Sequence, residues 1–137
     1  MERPPSCTAI ADRKALAGKV VVILEDDELV RRATERLLRR FGAEVVAGCT
    51  SDEVQEALAA RGLAPDCVVA DFWLSGEESG VTAAARLGGK AGRPLRTVIV
   101  TGDVRRETVE AAAGAGFPLL RKPVDIDSFL NAVVGDS

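Results

Sequence analysis

The stretch at residues 19–27 decides the fold, and it reads KVVVILEDD: five consecutive aliphatic residues followed at once by three acids. A continuous β-branched run is typical of a strand in a parallel sheet, because helices then cover both of its faces. An amphipathic helix is predicted next, over 27–41, with Gly42 as its cap and with Val30, Ala33, Leu37, Leu38 and Phe41 on one apolar stripe. A strand followed by a helix is the repeating unit of α/β proteins.

Similar units recur along the chain. Strand-like runs begin near positions 19, 43, 65, 95 and 117, a spacing that fits a strand plus one crossover helix. Further helices are predicted over 51–61, 80–88, 104–114 and 125–134, and Thr50 with Glu53 forms a capping-box pattern before the first of these. Gly88, Gly89 and Gly114 are expected to shorten the middle two. The last is expected to bury Ile126, Phe129, Leu130, Val133 and Val134. Five βα units in a three-layer α/β sandwich are therefore predicted.

Length and composition limit the chain to one domain. The 137 residues are 47% apolar and 28% charged, which is typical of a globular protein. Residues 1–18 are interpreted as an N-terminal extension or linker, and 19–137 as the domain. No stretch approaches the roughly 20 apolar residues of a membrane span. The N-terminus lacks the apolar core of a secretory signal, so a cytoplasmic location without membrane contact is expected.

Several kinds of chemistry are excluded by residues that the chain lacks. It contains no histidine, which excludes histidine-based catalytic pairs, imidazole metal sites and a phosphohistidine of its own. A net charge of -3 with 4% aromatic residues argues against nucleic-acid binding. Cys7, Cys49 and Cys67 fit no metal-ligand spacing and are predicted to be buried free thiols.

Polar side chains follow four of the apolar runs. Glu25 and Asp26 follow the first, Asp71 follows Cys67-Val68-Val69-Ala70, and Thr101 and Lys122 follow two later runs. Since ligand sites of open α/β sheets lie outside the carboxyl ends of the strands, all of these residues are expected to share one pocket. Neighbouring carboxylates repel unless a cation neutralises them, and hard oxygen ligands without sulfur or imidazole favour Mg²⁺.

Such a pocket is suited to a phosphoryl group. Asp71 is the predicted nucleophile, since a carboxylate can attack phosphorus and form an acyl phosphate. Mg²⁺, the Lys122 ammonium and the Thr101 hydroxyl would then surround the phosphoryl oxygens, and positioning with charge stabilisation would supply most of the catalysis.

The motifs resemble a known family. The order ILEDD at 23–27, VAD at 69–71, VTG at 100–102 and KP at 122–123 resembles the receiver domain of two-component response regulators over residues 19–134. The segment after Asp71 together with FPLLRKPV at 117–124 looks most like the C-terminal receiver of hybrid histidine kinases. The resemblance implies a flavodoxin-like, doubly wound (βα)5 fold with five parallel strands in the order 2-1-3-4-5.

The resemblance also implies a role for each site residue. Asp71 would accept a phosphoryl group, Asp26 would bind Mg²⁺ directly, and Glu25 would bind it through water. The Trp73 carbonyl would complete the metal shell, and Thr101 and Lys122 would hold the phosphoryl oxygens. Asp27 would begin the first helix outside the metal shell, and the Lys122-Pro123 bond would be cis. Many receivers carry an aromatic residue three positions before the lysine, where this chain has Leu119, with Phe117 two residues earlier.

Partners and output follow from the same resemblance. A histidine kinase or a histidine phosphotransfer protein would donate the phosphoryl group in a phosphorelay, docking on the first helix. The five arginines of that helix are otherwise read as a solvated face. The chain is expected not to be an enzyme, apart from self-phosphorylation and slow autodephosphorylation. A phosphorylated state would shift the fourth helix, and a homodimer would form through the fourth and fifth helices. Trp73 is expected to be partly exposed at the mouth of the site, and residues 72–80 are read as a mobile lid.

Three alternatives stay open at this point. A phosphohydrolase with aspartyl-phosphate chemistry usually places an acid two residues after the nucleophile, where this chain has Trp73. A flavodoxin-like cofactor binder would need a phosphate-cradling loop after the first strand, where three acids stand instead. A degenerate receiver would act only as a phosphorylation-independent protein-interaction module.

Overall fold

Five strands alternate with five helices in the computed structural model, which describes residues 15–74, 78–93, 95–102, 105–122 and 125–134. In chain order the elements are β1 (Val20–Leu24), α1 (Glu28–Arg40), β2 (Glu44–Gly48), α2 (Ser51–Arg61), β3 (Cys67–Asp71), α3 (Gly80–Ala91), β4 (Arg96–Thr101), α4 (Arg106–Ala115), β5 (Leu119–Arg121) and α5 (Ile126–Val134). The predicted series of βα units is confirmed.

The strands form one parallel sheet in the order β2-β1-β3-β4-β5, as expected. Its register brings the carboxyl ends of the strands to one edge. Asp71 at the end of β3 pairs with Val100, and Thr101 at the end of β4 pairs with Arg121 in β5. The polar residues that follow the strands therefore meet at this edge.

Two apolar layers explain why the β1 run has no polar alternation. Val20, Val22 and Leu24 join the core beneath α2, α3 and α4. Val21 and Ile23 point the other way, into the core beneath α1 and α5. Both faces of β1 are thus covered, and all five of its residues are buried. None of the described helices combines the length and the apolar character needed to cross a membrane.

The helix boundaries differ from the prediction at the internal glycines. The helix α2 has the predicted bounds, with the Thr50 hydroxyl accepting from the Glu53 N–H. The predicted stop at Gly88 and Gly89 is wrong, because α3 continues to Ala91, and α4 likewise passes Gly114. A glycine inside a helix costs only about 1 kcal/mol. The chain ends α3 where Gly92 takes a left-handed φ of 75° and its N–H meets the carbonyls of Gly88 and Gly89.

The predicted apolar stripes of α1 and α5 are only partly buried. Leu38 and Phe41 near the end of α1 are buried, as are Phe129, Leu130 and Val133 of α5. The predictions for Val30, Ala33, Ile126 and Val134 are wrong, because these side chains are exposed. Val30 and Ile126 lie at the N-terminal ends of their helices, where both line a cavity.

The described part of the predicted extension, residues 15–18, packs onto the domain. Leu16 is fully buried in the core beneath α1 and α5, and its N–H donates to the Phe41 carbonyl at 2.9 Å. Residues 1–14 lie outside the described residues. The division into an extension and a domain stays a prediction.

The two described cysteines are free, but they differ in burial. Cys67 is buried as predicted, its thiol donates to the Val133 carbonyl, and burial raises the pKa of that thiol. The prediction is wrong for Cys49, which is only half-buried because it follows β2 at the edge of the sheet. Cys7 lies outside the described residues.

Candidate phosphoacceptor and metal site

Three carboxylates meet at the carboxyl edge of the sheet. Glu25 and Asp26 follow β1, and Asp71 is the last residue of β3. One ligand oxygen from each lies within 4.8 Å of the others. Glu25 is buried, Asp71 is half-buried and Asp26 is exposed, so the cluster is open to solvent on the Asp26 side. The structure thus brings together the three acids that the strand ends predicted.

A single ammonium group joins two of these acids. The Lys122 Nζ lies 3.2 Å from Glu25 Oε1 and 3.0 Å from Asp71 Oδ2. Lys122 follows β5, and its backbone N–H donates to the carbonyl of Thr101 at 2.8 Å. Thr101 ends β4 and is fully buried. The ends of β1, β3 and β5 therefore supply the charged side chains of the site, and Thr101 ends the strand that lies between β3 and β5.

The protonation equilibria reflect this crowding. Burial, and next the negative charge of Asp71, raises the pKa of Glu25 above its ordinary value of 4.5. The Asp27 N–H and the Lys122 ammonium offset only part of that effect. For Lys122, partial burial lowers the pKa, but the hydrogen bond and charge of Asp71 and the charge of Glu25 outweigh it, so the pKa lies above 10.5. Ionised Glu25 is therefore a cost to the fold at neutral pH, and a cation reduces this cost.

Replacing Lys122 with methionine is expected to lower the free energy of unfolding by about 1–3 kcal/mol at neutral pH without divalent metal, because two poorly solvated carboxylates lose their shared cation. A raised lysine pKa gives stability that is present below 10.5 and lost as pH rises through the folded-state value. The Lys122 variant has no such stability to lose, so its free energy of unfolding should fall less than that of the wild type when the pH is raised into the alkaline range. Urea denaturation at neutral and alkaline pH measures both effects.

The matched control is Lys90→Met, since Lys90 is exposed on α3. Its stability is expected to stay within about 0.5 kcal/mol of wild type. Equal stabilities for the Lys122 variant and wild type would contradict the charge balance described for the site.

The β1–α1 connection is held by hydrogen bonds on both sides of Asp26. Asp27 is the N-cap of α1, and its carboxylate accepts from the N–H groups of Leu29 and Val30. Its own N–H donates to Glu25 Oε2 at 3.2 Å. Asp27 thus lies at the start of the helix, as the resemblance implied, and its backbone helps to orient the Glu25 carboxylate.

Trp73 lies at the mouth of the site. Its side chain is 40% exposed, which confirms the expected partial exposure. The backbone N–H of Trp73 donates to Asp71 Oδ1 at 3.2 Å, its ring meets the Phe72 ring edge-on, and the Arg105 guanidinium lies 5.3 Å from the ring centre. The tryptophan therefore spans from the end of β3 toward the start of α4. Residues 75–77 of the predicted lid and Pro123 of the predicted cis bond lie outside the described residues.

The donor set fits a hard divalent cation. The clustered ligand atoms are carboxylate oxygens, which Mg²⁺ prefers, and burial, and next the charge of Asp71, raises the pKa of Glu25, so that a cation would favour its ionised form. Glu25, Asp26 and Asp71 are the residues that would hold the ion. The predicted contribution of the Trp73 carbonyl stays a prediction.

A cavity of about 480 Å³ opens beside the carboxylates, between α1 and α5. Its walls are mostly apolar, and Glu25, Asp71 and Lys122 reach it from the sheet edge. The helix residues that line it are Val30, Thr34, Leu37, Ile126 and Phe129. Apolar surface thus continues from the site onto α1 and α5.

Two residues near the site were missed by sequence reasoning. Arg31 was read as part of a solvated face, yet it is half-buried, and its Nη1 donates to the Glu25 carbonyl at 2.9 Å and to Cys49 Sγ. Arg32 and Arg39 do form exposed i,i+4 ion pairs with Glu28 and Glu35, as that reading expected. Glu78 was treated only as one of the acidic residues of a loop, yet its side chain is nearly buried and contacts Ser51 of α2. No local pattern marks either residue, because Cys49 lies 18 residues from Arg31 and Ser51 lies 27 residues from Glu78.

Comparisons with known proteins agree on one family. The profile of the response regulator receiver domain matches residues 21–134. A receiver domain protein from Clostridium thermocellum superposes with a TM-score of 0.72 at 20% identity, covering 85% of this chain and 92% of that one. A response regulator receiver protein from Burkholderia phymatum is 29% identical, with a TM-score of 0.65 and coverage of 87% and 97%.

A third similar structure, a response regulator from Burkholderia pseudomallei, carries a phosphorylated aspartic acid, a calcium ion and citrate. It is 25% identical, with a TM-score of 0.71, and the match covers 84% of this chain and 66% of that one. None of the curated protein sequences compared with the chain matches it significantly. The profile match spans most of the chain and includes every residue of the acidic cluster and Lys122. The chain therefore belongs to the response regulator receiver domain family.

Proposed function

We propose that this receiver domain accepts a phosphoryl group on Asp71 from a phosphohistidine of another protein, in a Mg²⁺-dependent step of a two-component phosphorelay. The observation that carries the proposal is the contact of one ammonium, Lys122, with both Glu25 and Asp71, beside a third carboxylate. Such a group of charges can hold a divalent cation and place positive charge beside the oxygens of a phosphoryl group.

The transfer is a displacement at phosphorus. An Asp71 carboxylate oxygen forms the new O–P bond while the N–P bond of the donor breaks, and the leaving imidazole nitrogen keeps the electron pair and takes up a proton. Lys122 donates to the phosphoryl oxygens from the side on which it now contacts Asp71, and the Thr101 hydroxyl donates from the end of β4. A bound Mg²⁺ would neutralise charge on the phosphoryl oxygens. Later attack by water on phosphorus releases phosphate slowly.

The donor docks, in this proposal, on α1 and α5 beside the cavity. Leu29 is 81% exposed and Ile126 is 47% exposed, and both stand at the ends of their helices nearest Asp71. Arg32 and Arg36 are exposed on the same helix, α1. The occupant that fits is an amphipathic, acidic helix carrying the phosphohistidine, since the phosphorus on its imidazole must come within reach of an Asp71 oxygen.

The element proposed to change position after phosphorylation, and so to alter contacts with other proteins, is α4. Only two side chains of this helix, Thr108 and Ala112, are buried. The buried Thr108 hydroxyl has no hydrogen-bond partner within the part of the chain that the structure describes. A helix with few stabilising contacts shifts at low cost, so movement of Thr101 toward a phosphoryl group would be passed to α4. Dimerisation through α4 and α5 stays a prediction.

Incubation with a small radiolabelled acyl phosphate tests the proposal. With Mg²⁺, incorporation is expected to approach one phosphoryl group per chain, and a chelator is expected to reduce the rate by about 100-fold or more. Trp73 emission should change on adding Mg²⁺ alone, because the ion would bind next to it. Absence of both label and emission change would favour the alternative, a degenerate receiver that acts as a phosphorylation-independent interaction module.

A further inference from the structure

The last residues of the β3–α3 connection are hydrogen-bonded to the start of α2, a helix that contributes no residue to the carboxylate cluster. The Glu78 carboxylate accepts from the Ser51 N–H at 3.1 Å and from the Ser51 hydroxyl at 2.8 Å. Arg86 of α3 donates to it at 2.8 Å. These three contacts are called the Glu78 anchor below. The Glu78 side chain is only 14% exposed and Ser51 is buried, so the contact between these two residues lies inside the fold, whereas Arg86 closes it from the exposed surface.

The start of α2 gives this contact its strength. Ser51 is the first residue of the helix, where the backbone N–H groups have no partner within the helix. A carboxylate at this place satisfies one of them and also meets the positive end of the helix dipole. Two bonds to one serine, from backbone and side chain, hold Glu78 in a single position.

Ser79 and Gly80, which follow Glu78, pair with the two residues that come directly after β3. The Gly80 N–H donates to the Phe72 carbonyl at 2.8 Å, and Ser79 pairs with Trp73 in an antiparallel bridge. Gly80 lies directly against the carbonyl of Asp71, where an added Cβ would be only 2.2 Å from the oxygen. A displacement of residues 78–80 would therefore be transmitted to the backbone of Asp71 and Trp73.

From this geometry we infer that Glu78 is a positioning residue for phosphoryl transfer. By fixing residues 78–80 against α2, the Glu78 anchor sets the placement of Asp71 and Trp73 without touching the reacting atoms. The inference rests on the proposed function. Since small misplacements of reacting groups are costly, Glu78→Ala is expected to lower the labelling rate of the folded protein by about tenfold.

The experiment compares wild type, Glu78→Ala, Glu78→Gln and Arg86→Gln in the acyl phosphate assay, with each rate normalised to the folded fraction. Glutamine can still pair with Ser51, so Glu78→Gln should recover most of the rate. Arg86→Gln removes only the exposed ion pair, and its rate should fall less than about twofold. The control Glu44→Ala removes a surface ion pair with Arg61 at the far end of β2 and should behave as wild type.

A purely structural role would lower stability but would leave the rate of the folded molecules unchanged. Trp73, the single tryptophan, supplies a second readout that needs no phosphorylation, because its emission should shift in Glu78→Ala and return in Glu78→Gln. If Glu78→Ala does not fold, Ser51→Ala takes its place, with about a threefold lower rate expected from the loss of one hydrogen bond.

The outcomes separate the two proposals. An unlabelled wild-type protein would refute the proposed function. The Trp73 emission of the Glu78 variants would then still test whether Glu78 fixes the position of residues 78–80 beside Trp73. Normal labelling of wild type together with an unchanged rate and unchanged Trp73 emission in Glu78→Ala would overturn the role of Glu78.

Discussion

Replacement of Asp71 with asparagine is expected to abolish phosphoryl incorporation from an acyl phosphate. An amide oxygen is not a nucleophile toward phosphorus at neutral pH, so the variant lacks the group that would form the acyl phosphate. The fold should survive, since asparagine has nearly the same shape and its side-chain oxygen can accept from the backbone N–H of Trp73 as Asp71 does.

The same substitution should also affect Glu25. The charge of Asp71 is one of the causes that raise the pKa of Glu25, so its removal should bring that pKa down toward the ordinary value. Asp52→Asn, an exposed acid in the first turn of α2, is the matched control and should be labelled as wild type is. Label that persists in Asp71→Asn at the wild-type rate would refute the assignment of the phosphoacceptor.

Replacement of Gly80 with alanine is expected to unfold the protein or to destabilise it by about 3 kcal/mol or more, since overpacking against rigid neighbours is costly. The new Cβ would lie 2.2 Å from the backbone carbonyl oxygen of Asp71, 2.9 Å from the carbon of that carbonyl and 3.2 Å from the Ala70 Cβ. The clash involves backbone in an interior strand of the sheet, which has neighbours on both sides and cannot move aside. Urea denaturation followed by circular dichroism measures the loss.

Gly89→Ala is the control for this prediction. Gly89 lies in the same helix, and an added Cβ there would meet nothing within 4 Å. Alanine is the better helix former, so a gain of up to about 1 kcal/mol is expected. Similar stabilities for the two alanine variants would show that the contact between Gly80 and Asp71 is not tight.

The sheet and its order could be predicted because the signals are local and repeated. Each strand is a short apolar run, each is followed by a helix, and right-handed crossovers leave few arrangements for five such units. The acidic cluster followed from the same logic, since residues that come directly after parallel strands must meet at one edge. The start of α2 was correct because Thr50 and Glu53 form their cap within a few residues.

The errors arise where long-range packing decides. Val30 and Ile126 fit helical periodicity, but they lie beside a cavity rather than over the sheet, and periodicity does not indicate how far a core extends. The end of α3 was misplaced because a glycine signals a possible stop without fixing one. Arg31 and Glu78 depend on partners in other elements, Cys49 and Ser51, which the sequence does not connect.

The most direct test of the site is to locate the phosphoryl group chemically. Borohydride reduces an acyl phosphate to the alcohol, so a phosphorylated aspartate becomes homoserine, which peptide mass spectrometry can place in the chain. After labelling with Mg²⁺, homoserine is expected at position 71 and at no other acid, and it should be absent when a chelator is present. Homoserine at another position, or equal amounts with and without Mg²⁺, would contradict a metal-dependent phosphoacceptor built from Glu25, Asp26, Asp71 and Lys122.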